Sequence, residues 1–194
     1  MMRKVITLAI VAGFLLAGPA QAQDKEKKEK PKQYRFTAFA VNMNSGPKAG
    51  MIDIVLERLT TDEERQNLLA AFVEGGQDKL LSALQKVKPR AGFMRSPSSL
   101  GYDLQYAYRF VNSDGTSRIV IATDKPVSFF AASRQTRTMD YPFTLIEMRL
   151  DAKGEGEGRM AAGVKISKSK DGKTIELENY GISPVALNQI KLQK

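Results

Sequence analysis

The 194-residue chain contains no cysteine and no histidine, and these two absences remove several classes of function. Without cysteine there is no disulfide, no thiolate nucleophile and no lipid-bearing thiol of a bacterial lipoprotein. Without histidine, a serine nucleophile lacks its usual imidazole base, and the usual zinc and copper ligands are missing. The sequence therefore predicts neither a bound metal nor redox metal chemistry.

Phosphate-binding signatures are missing as well. The chain has no glycine-rich loop followed by a lysine and no strand-linked dinucleotide fingerprint, so we expect no nucleotide and no other cofactor. Of the nine net positive charges, Arg3 and Lys4 carry two and residues 24–32 carry a net two more, which leaves about +5 for the remainder. This charge is too small and too dispersed to predict nucleic acid as a partner.

The first 22 residues have the pattern of a secretory signal peptide. Arg3 and Lys4 precede an apolar run over residues 5–16, and Ala20-Gln21-Ala22 fits the small-residue cleavage pattern. The alternative, a membrane anchor, would need roughly 20 apolar residues. We predict cleavage after Ala22, a mature chain with no membrane span, and a periplasmic or secreted location.

The remaining chain divides into a short linker and one domain. Residues 23–33 are predicted to be a charged, disordered linker, because residues 24–32 contain no apolar side chain that could offset the entropy of ordering. Residues 34–194 are long enough to bury a core without disulfides. They are predicted to form a single α+β domain.

Within this domain, strand-like alternation is interrupted once by helical periodicity. Thr61-Asp62-Glu63-Glu64 predicts a capping box, and two apolar stripes separated by Gly75-Gly76 predict a pair of short amphipathic helices. We expect the pair to pack on the sheet; a partner-binding or membrane-touching helix is the alternative. The fold is predicted to be mainly antiparallel β-sheet, barrel-like or a sandwich, with about eight or nine strands.

One Asp-Gly pair predicts the register of a hairpin in the middle of the chain. A two-residue type I′ turn at Asp114-Gly115 suits the positive φ angles that such a turn requires. This turn would place Phe110 opposite Ile119, Tyr108 opposite Ile121 and Tyr106 opposite Thr123, all on one face of the sheet.

A second hairpin and three further strands complete the predicted sheet. A turn at Asp171-Gly172 would place Ile166 opposite Leu177. Residues 127–130, 143–150 and 185–192 alternate like strands, whereas the glycine-rich residues 154–158 are predicted to form a mobile hairpin loop.

Catalysis would have to rest on carboxylates or on an unusual serine. Asp103, Asp140 and Glu147 stand near aromatic residues, and two acids facing one cleft could hydrolyse glycans. Ser167 and Lys170 have S-x-x-K spacing, but at a predicted hairpin tip the lysine would stay protonated. Because lone carboxylates on strands are usually exposed or paired with arginine, we expect binding rather than catalysis.

Arginine and tyrosine concentrate in the middle of the chain, where residues 89–150 hold seven of the twelve arginines and four of the six tyrosines. These residue types together favour a pocket for a small amphipathic or anionic ligand. The candidate ligand-binding residues are Arg95, Tyr102, Tyr106, Tyr108, Arg134 and Arg137. Residues 131–140 would form the mouth loop. In the alternative interpretation, Tyr106 and Tyr108 fill the core and the arginines coat the outer face.

Two strand-like segments carry a resemblance to other proteins. The segments DYPFTLIEMRLD, at residues 140–151, and TIELENYG, at residues 174–181, resemble a family of secreted bacterial proteins that has no assigned activity. The resemblance covers most of the mature chain and implies no particular reaction.

These observations favour a non-catalytic binding or interaction module of the cell envelope. Its partner would be a small amphipathic or anionic ligand, or an envelope protein. Two alternatives remain open at this point: a carboxylate-based hydrolase that acts on glycans, and a structural protein that adheres to anionic surfaces through its lysines.

Overall fold

Antiparallel strands make up most of the protein. The computed structural model describes residues 33–43, 48–97, 101–127, 140–169, 175–179 and 183–193. The strands are β1 (Tyr34–Asn42), β2 (Lys48–Leu56), β3 (Gly92–Arg95), β4 (Tyr102–Leu104), β5 (Tyr106–Val111), β6 (Ser117–Thr123), β7 (Phe143–Leu150), β8 (Glu155–Lys168), β9 (Ile175–Asn179) and β10 (Val185–Gln193). The helix α1 (Asp62–Gln85) lies between β2 and β3 in the chain.

Nine of these strands form a nearly closed, barrel-like sheet in the order β4-β3-β2-β1-β10-β8-β7-β6-β5, and β9 pairs with β8. All of the described pairings are antiparallel. The two end strands of this order, β4 and β5, form the seam of the sheet. Beside it, the Thr60 N–H donates to the Ala107 carbonyl at 2.7 Å, and the Thr60 hydroxyl accepts the Ala107 N–H at 3.0 Å. The predicted antiparallel sheet is confirmed, and its shape is barrel-like.

Inward-facing side chains fill the interior of this sheet, and we refer to them as the interior cluster. Its largest members are Phe36, Ile52, Ile54, Leu56, Met94, Leu104, Ile119, Ile121, Ile146, Met148 and Met160. Because inward and outward residues alternate along a strand, β1 to β8 and β10 each contribute buried side chains. The interior is therefore a packed core.

The start of α1 is formed by the predicted capping box. The Thr61 hydroxyl accepts the Glu64 N–H at 3.2 Å, and the Glu64 carboxylate accepts the Thr61 N–H at 2.9 Å. Arg58 forms an ion pair with the same carboxylate at 2.7 Å. The hydrogen bond from Arg58 is the main cause that lowers the pKa of Glu64. These contacts fix the first helical turn beside the seam of the sheet.

The predicted pair of helices is not confirmed, because the described residues contain one helix with a local break. Gly75 and Gly76 leave the helical conformation, with φ/ψ of −137°/19° and 67°/−151°. The positive φ of Gly76 is a conformation that glycine adopts without a steric penalty. On either side of the break, the buried residues Leu68, Phe72 and Leu84 cover the outer face of the sheet, as the apolar stripes predict.

The predicted turn at Asp114-Gly115 is wrong by one residue. The Asn112 N–H donates to the Thr116 carbonyl at 2.9 Å, and the Gly115 N–H donates to the Asn112 carbonyl at 3.0 Å. Gly115 has a φ of 82°, which fits a three-residue loop with a left-handed glycine at its end. The loop therefore spans residues 113–115 instead of two residues.

This shift of one residue reverses the two faces of β5. Tyr106 lies opposite Ala122 and Tyr108 opposite Val120, so both tyrosines lie on the outer face that α1 covers. Ala107 takes the inward position, where it is fully buried. Neither tyrosine therefore belongs to the interior cluster: Tyr106 packs against the apolar residues under α1, and Tyr108 bonds to Asp62.

The glycine-rich residues 154–158 are strand rather than loop, apart from Gly154. The preceding turn is closed by Asp151, whose carboxylate accepts the N–H groups of Lys153 and Glu155 at 2.8 and 2.9 Å. A Cβ on Gly156 would lie 1.9 Å from the carbonyl oxygen of Arg149 in β7. Glycine is needed here because the two backbones approach closely.

Some of the remaining predictions concern residues that the structure describes, and the others concern residues that it does not. The pairing of Ile166 with Leu177 is confirmed, while the Asp171-Gly172 turn lies outside the described residues. Val127 is buried but is not part of a strand, and residues 128–130 are not described. The predicted signal peptide, residues 23–32 of the linker and the predicted mouth loop up to residue 139 also lie outside the described part of the chain.

Candidate ligand-binding cleft

An apolar cleft of about 240 Å³ separates α1 from the outer face of the sheet. We call it the helix–sheet cleft. Its roof consists of residues from both halves of α1: Arg65, Leu68, Leu69, Phe72, Leu80 and Leu84. Its floor consists of outward residues from five neighbouring strands: Tyr106, Val120, Ala122, Phe143, Leu145, Ile166 and Leu177.

The break in α1 is tied to β8, and these contacts set the shape of the cleft. The Gln77 side chain accepts the Ile166 N–H at 2.9 Å and donates to the Asp140 carbonyl at 3.0 Å. The Lys168 ammonium donates to the Val73 carbonyl, which lies just before the break. Because both sides of the break are held at β8, the two halves of the helix span the floor as a bent roof.

Hydrocarbon dominates the lining of the cleft. Among the described residues that line it, only Arg65 and Tyr106 have a polar side chain. Water gains few hydrogen bonds against such a lining, so its replacement by an apolar group is favourable. The cleft is therefore suited to the apolar body of a ligand.

Arg65 and Tyr106 place polar groups at one end of the otherwise apolar cleft. Burial raises the pKa of Tyr106, against a smaller opposing effect of Arg65, so the phenol stays protonated and can donate a hydrogen bond. The described ion pairs do not include Arg65. This end of the cleft thus presents a guanidinium and a phenol hydroxyl.

Tyr108 and Phe110 continue the aromatic row away from the cleft. The rings of Tyr106 and Tyr108 stack with centroids 6.5 Å apart, and Phe110 meets Tyr108 edge-on at 4.8 Å. The Tyr108 hydroxyl donates to Asp62 at 2.6 Å, and this bond is the main cause that raises the pKa of Tyr108. The Arg65 guanidinium lies 5.2 Å from the Tyr108 ring. Stacking and hydrogen bonding thus hold this end of α1 against β5.

The helix–sheet cleft thus combines an apolar channel with one cationic end. Comparisons with protein-family models, curated proteins and solved structures found no match. The roles of its residues therefore follow from geometry and chemistry alone, and the resemblance to a secreted bacterial family stays a prediction.

The structure places the predicted ligand-binding residues in different environments. Tyr106 lines the helix–sheet cleft and Tyr108 stands beside it. Tyr102 packs against the interior cluster, opposite Met94. Arg134 and Arg137 lie outside the described residues. The structure thus brings together the two tyrosines of β5 and separates them from Tyr102.

Arg95 lines a second cleft, of about 290 Å³, on the outer face of β2 and β3. Its guanidinium already forms an ion pair with Asp53 at 3.3 Å, and it lies 5.9 Å from the Phe93 ring. A ligand anion would have to compete with that carboxylate. The second cleft is therefore less suited to an anion than the Arg65 end of the first.

The predicted catalytic acids have separate partners. Asp103 forms an ion pair with Arg90, and Glu147 forms one with Arg149 at 3.1 Å. Asp140 is exposed, and neither of the two described clefts is lined by any of these three acids. The glycan hydrolase stays a prediction that no described cleft supports.

The described residues provide neither a metal site nor a membrane-spanning helix. The described residues contain no group of three acidic side chains placed to hold a metal ion. Within the same residues, no helix is both long enough and apolar enough to cross a bilayer.

Sequence reasoning missed most of the helix–sheet cleft, because it assigned the apolar stripes of α1 to the core. One signal was available. Arg65 precedes Leu68 and Leu69 by three and four residues, which places its charge on the same face of the helix as the apolar stripe. A charged residue at such a position indicates the edge of a buried surface or the mouth of a site.

Proposed function

We propose that the protein is a non-catalytic binding module that holds the apolar body of a small amphipathic molecule in the helix–sheet cleft. The observation that carries the proposal is the cleft itself, which is lined by hydrocarbon and has a volume of about 240 Å³. An apolar cavity of roughly 150 Å³ already takes a molecule as large as benzene. An apolar group that enters the cleft gains van der Waals contacts with the lining side chains on both sides.

The size of the cleft limits the ligand. Pockets for drug-sized molecules measure roughly 300 to 1,000 Å³, and the cleft is slightly smaller. A slender or small molecule fits it better than a bulky ring system. The polar part of an amphipathic ligand would lie at the Arg65 end, where the lining ceases to be apolar.

Export of the protein is part of the same proposal. Its support is the sequence of residues 1–22, with a basic start, a short apolar run and a small-residue cleavage pattern. A binding module in the periplasm or outside the cell would keep an apolar molecule in solution between membranes.

Binding of an uncharged apolar dye tests the proposal. Diphenylhexatriene, a slender and uncharged molecule, gains fluorescence in apolar surroundings, and the mature chain is titrated with it. We expect one dye per chain, and at least a tenfold weaker affinity in Ala122→Leu, or about 1.4 kcal/mol. The reason is that Ala122 forms part of the cleft floor, so a larger side chain there occupies the space.

The matched control is Ala49→Leu on β2, which is exposed and remote from the cleft lining. This variant should bind the dye like the unaltered chain, and both variants should keep the thermal unfolding midpoint within a few degrees or raise it. Failure of the unaltered chain to bind the dye, or equal binding by a folded Ala122→Leu variant, would overturn the proposal.

A further inference from the structure

We infer that the ligand is a linear alkyl carboxylate, whose carboxylate is bound by Arg65 and Tyr106 and whose alkyl chain runs toward Leu177. The inference rests on the proposed function, since it names the chemistry and the orientation of the molecule in the helix–sheet cleft. Three features of the cleft carry it: its length, the donors at one end and the exposure of the other end.

The floor of the cleft is extended in one direction. It crosses β5, β6, β7, β8 and β9, from Tyr106 at one edge to Leu177 at the other. Four inter-strand spacings of about 4.8 Å correspond to roughly 19 Å along this path. An unbranched chain can follow such a floor, whereas a compact ring would cover only part of it.

The donors at the first end select a carboxylate. The guanidinium of Arg65 can donate two parallel N–H bonds to a carboxylate, and the Tyr106 hydroxyl can donate a third. Asp62, one turn earlier on the helix, already accepts the Tyr108 hydroxyl, and the described ion pairs include neither Asp62 nor Arg65. Among the described residues, the Arg65 guanidinium can therefore pair with an anionic head group, whereas it would repel an ammonium head group.

The second end is open to solvent. Leu177 lies opposite Ile166 on β9, and its side chain is 58% exposed, although it lines the cleft. An alkyl chain longer than the floor can leave the cleft past Leu177 without displacing the roof. A short chain would end under the helix and leave Leu177 uncovered.

Head-group selection is tested by dye displacement with dodecanoate, dodecanol and dodecylammonium, which share one chain length. For the unaltered protein we expect dodecanoate to displace the dye at a concentration at least tenfold below that of dodecanol. Dodecylammonium should be the weakest of the three. Arg65→Gln should remove the advantage of dodecanoate, and Tyr106→Phe should reduce it by about threefold.

Arg118→Gln is the matched control, because Arg118 is an exposed arginine that lies 4.6 Å from the Phe110 ring and does not line the cleft. It should leave the preference for dodecanoate unchanged. Equal displacement by dodecanoate and dodecanol would overturn this inference and leave the proposed function standing. If the unaltered chain binds neither the dye nor any of the three compounds, the proposed function is overturned as well.

Chain direction has a separate test. In Leu177→Gln, hexadecanoate should displace the dye several-fold less effectively, while octanoate should be unaffected, because only the longer chain reaches the second end. Equal effects on both chain lengths would overturn the assigned direction.

Discussion

The two apolar clusters of this protein contain similar side chains, but only one of them is closed. The interior cluster is surrounded by a nearly complete ring of strands, and its large side chains have almost no exposed surface. The second cluster, between α1 and the sheet, has four buried members, Leu68, Leu84, Phe143 and Val164, and the hydrophobic residues packed against them are only partly buried. A ring of strands converges on its core from all directions, whereas one broken helix covers a floor of five strands incompletely. Binding is therefore expected at the incomplete cover.

The largest expected effect separates the two clusters by stability. Phe36→Ala should lower the free energy of unfolding by about 3 to 5 kcal/mol, because Phe36 is 1% exposed and its removal leaves a cavity. Leu69→Ala in the cleft roof should cost less than about 1 kcal/mol, because Leu69 is 39% exposed. Urea unfolding of both variants measures the difference.

If Phe36→Ala does not fold, Ile54→Val provides the same comparison with a smaller expected loss of about 0.5 to 1.5 kcal/mol. A loss in Leu69→Ala as large as that in Phe36→Ala would show that the roof is packed core, and the contrast between the clusters would fail.

The next largest expected effect on stability compares a glycine of the sheet, Gly156, with a glycine at the break of α1, Gly75. Gly156→Ala should destabilise the protein by about 1 to 3 kcal/mol, because the new Cβ would meet the carbonyl oxygen of Arg149. Gly75→Ala should cost less than Gly156→Ala, because the three atoms nearest to its Cβ belong to the Lys79 side chain, which can move more readily than a backbone carbonyl. Thermal unfolding of the two variants measures this difference, and equal midpoints would contradict the close approach of β7 and β8.

The smallest expected effect on stability concerns the capped N-terminus of α1. Thr61→Ala should lower the free energy of unfolding by about 1 kcal/mol, because it removes the cap of α1. The exposed change Gln66→Ala on the same helix should stay within about 0.5 kcal/mol. Urea unfolding measures both, and equal losses would contradict the role of the cap.

The pH dependence of the same cap has a defined sign. The pKa of Glu64 is lowered in the folded state, mainly by Arg58, so its contribution is complete above the ordinary glutamate pKa of about 4.3. That contribution is lost as the pH falls through the lowered value. Glu64→Gln should therefore be less stable than the unaltered chain at pH 7, and the difference should shrink below about pH 4. A constant difference over this range would contradict the role of the carboxylate.

The sequence was informative where structure depends on neighbouring residues. Thr61 and Glu64 are three residues apart, so the cap of α1 could be predicted, and the pairing of Ile166 with Leu177 followed from alternation and a turn signal. The register around Asp114-Gly115 could not be predicted, because two-residue and three-residue loops both use these residues. This shift of one residue moved Tyr106 from the predicted position opposite Thr123 to the outer face of the sheet, where it lines the cleft.

The cleft and the glycine contacts depend on residues that are distant in sequence. Arg65 and Leu84 line one cleft together with Ala122, Leu145 and Leu177 only because the broken helix lies across the sheet. Alternation predicts that these residues are apolar and partly buried, but it cannot reveal that they leave a gap between them. The need for glycine at position 156 depends in the same way on the path of β7.

Methyl NMR of the mature chain titrated with dodecanoate distinguishes binding in the open cluster from binding in the interior. We expect large shift changes for the methyl groups of Leu68, Leu84 and Leu145 in the helix–sheet cleft, with the interior methyl groups of Met94 and Met148 unchanged. Changes in the interior methyl groups, or none in the cleft, would contradict the assignment of binding to the open cluster.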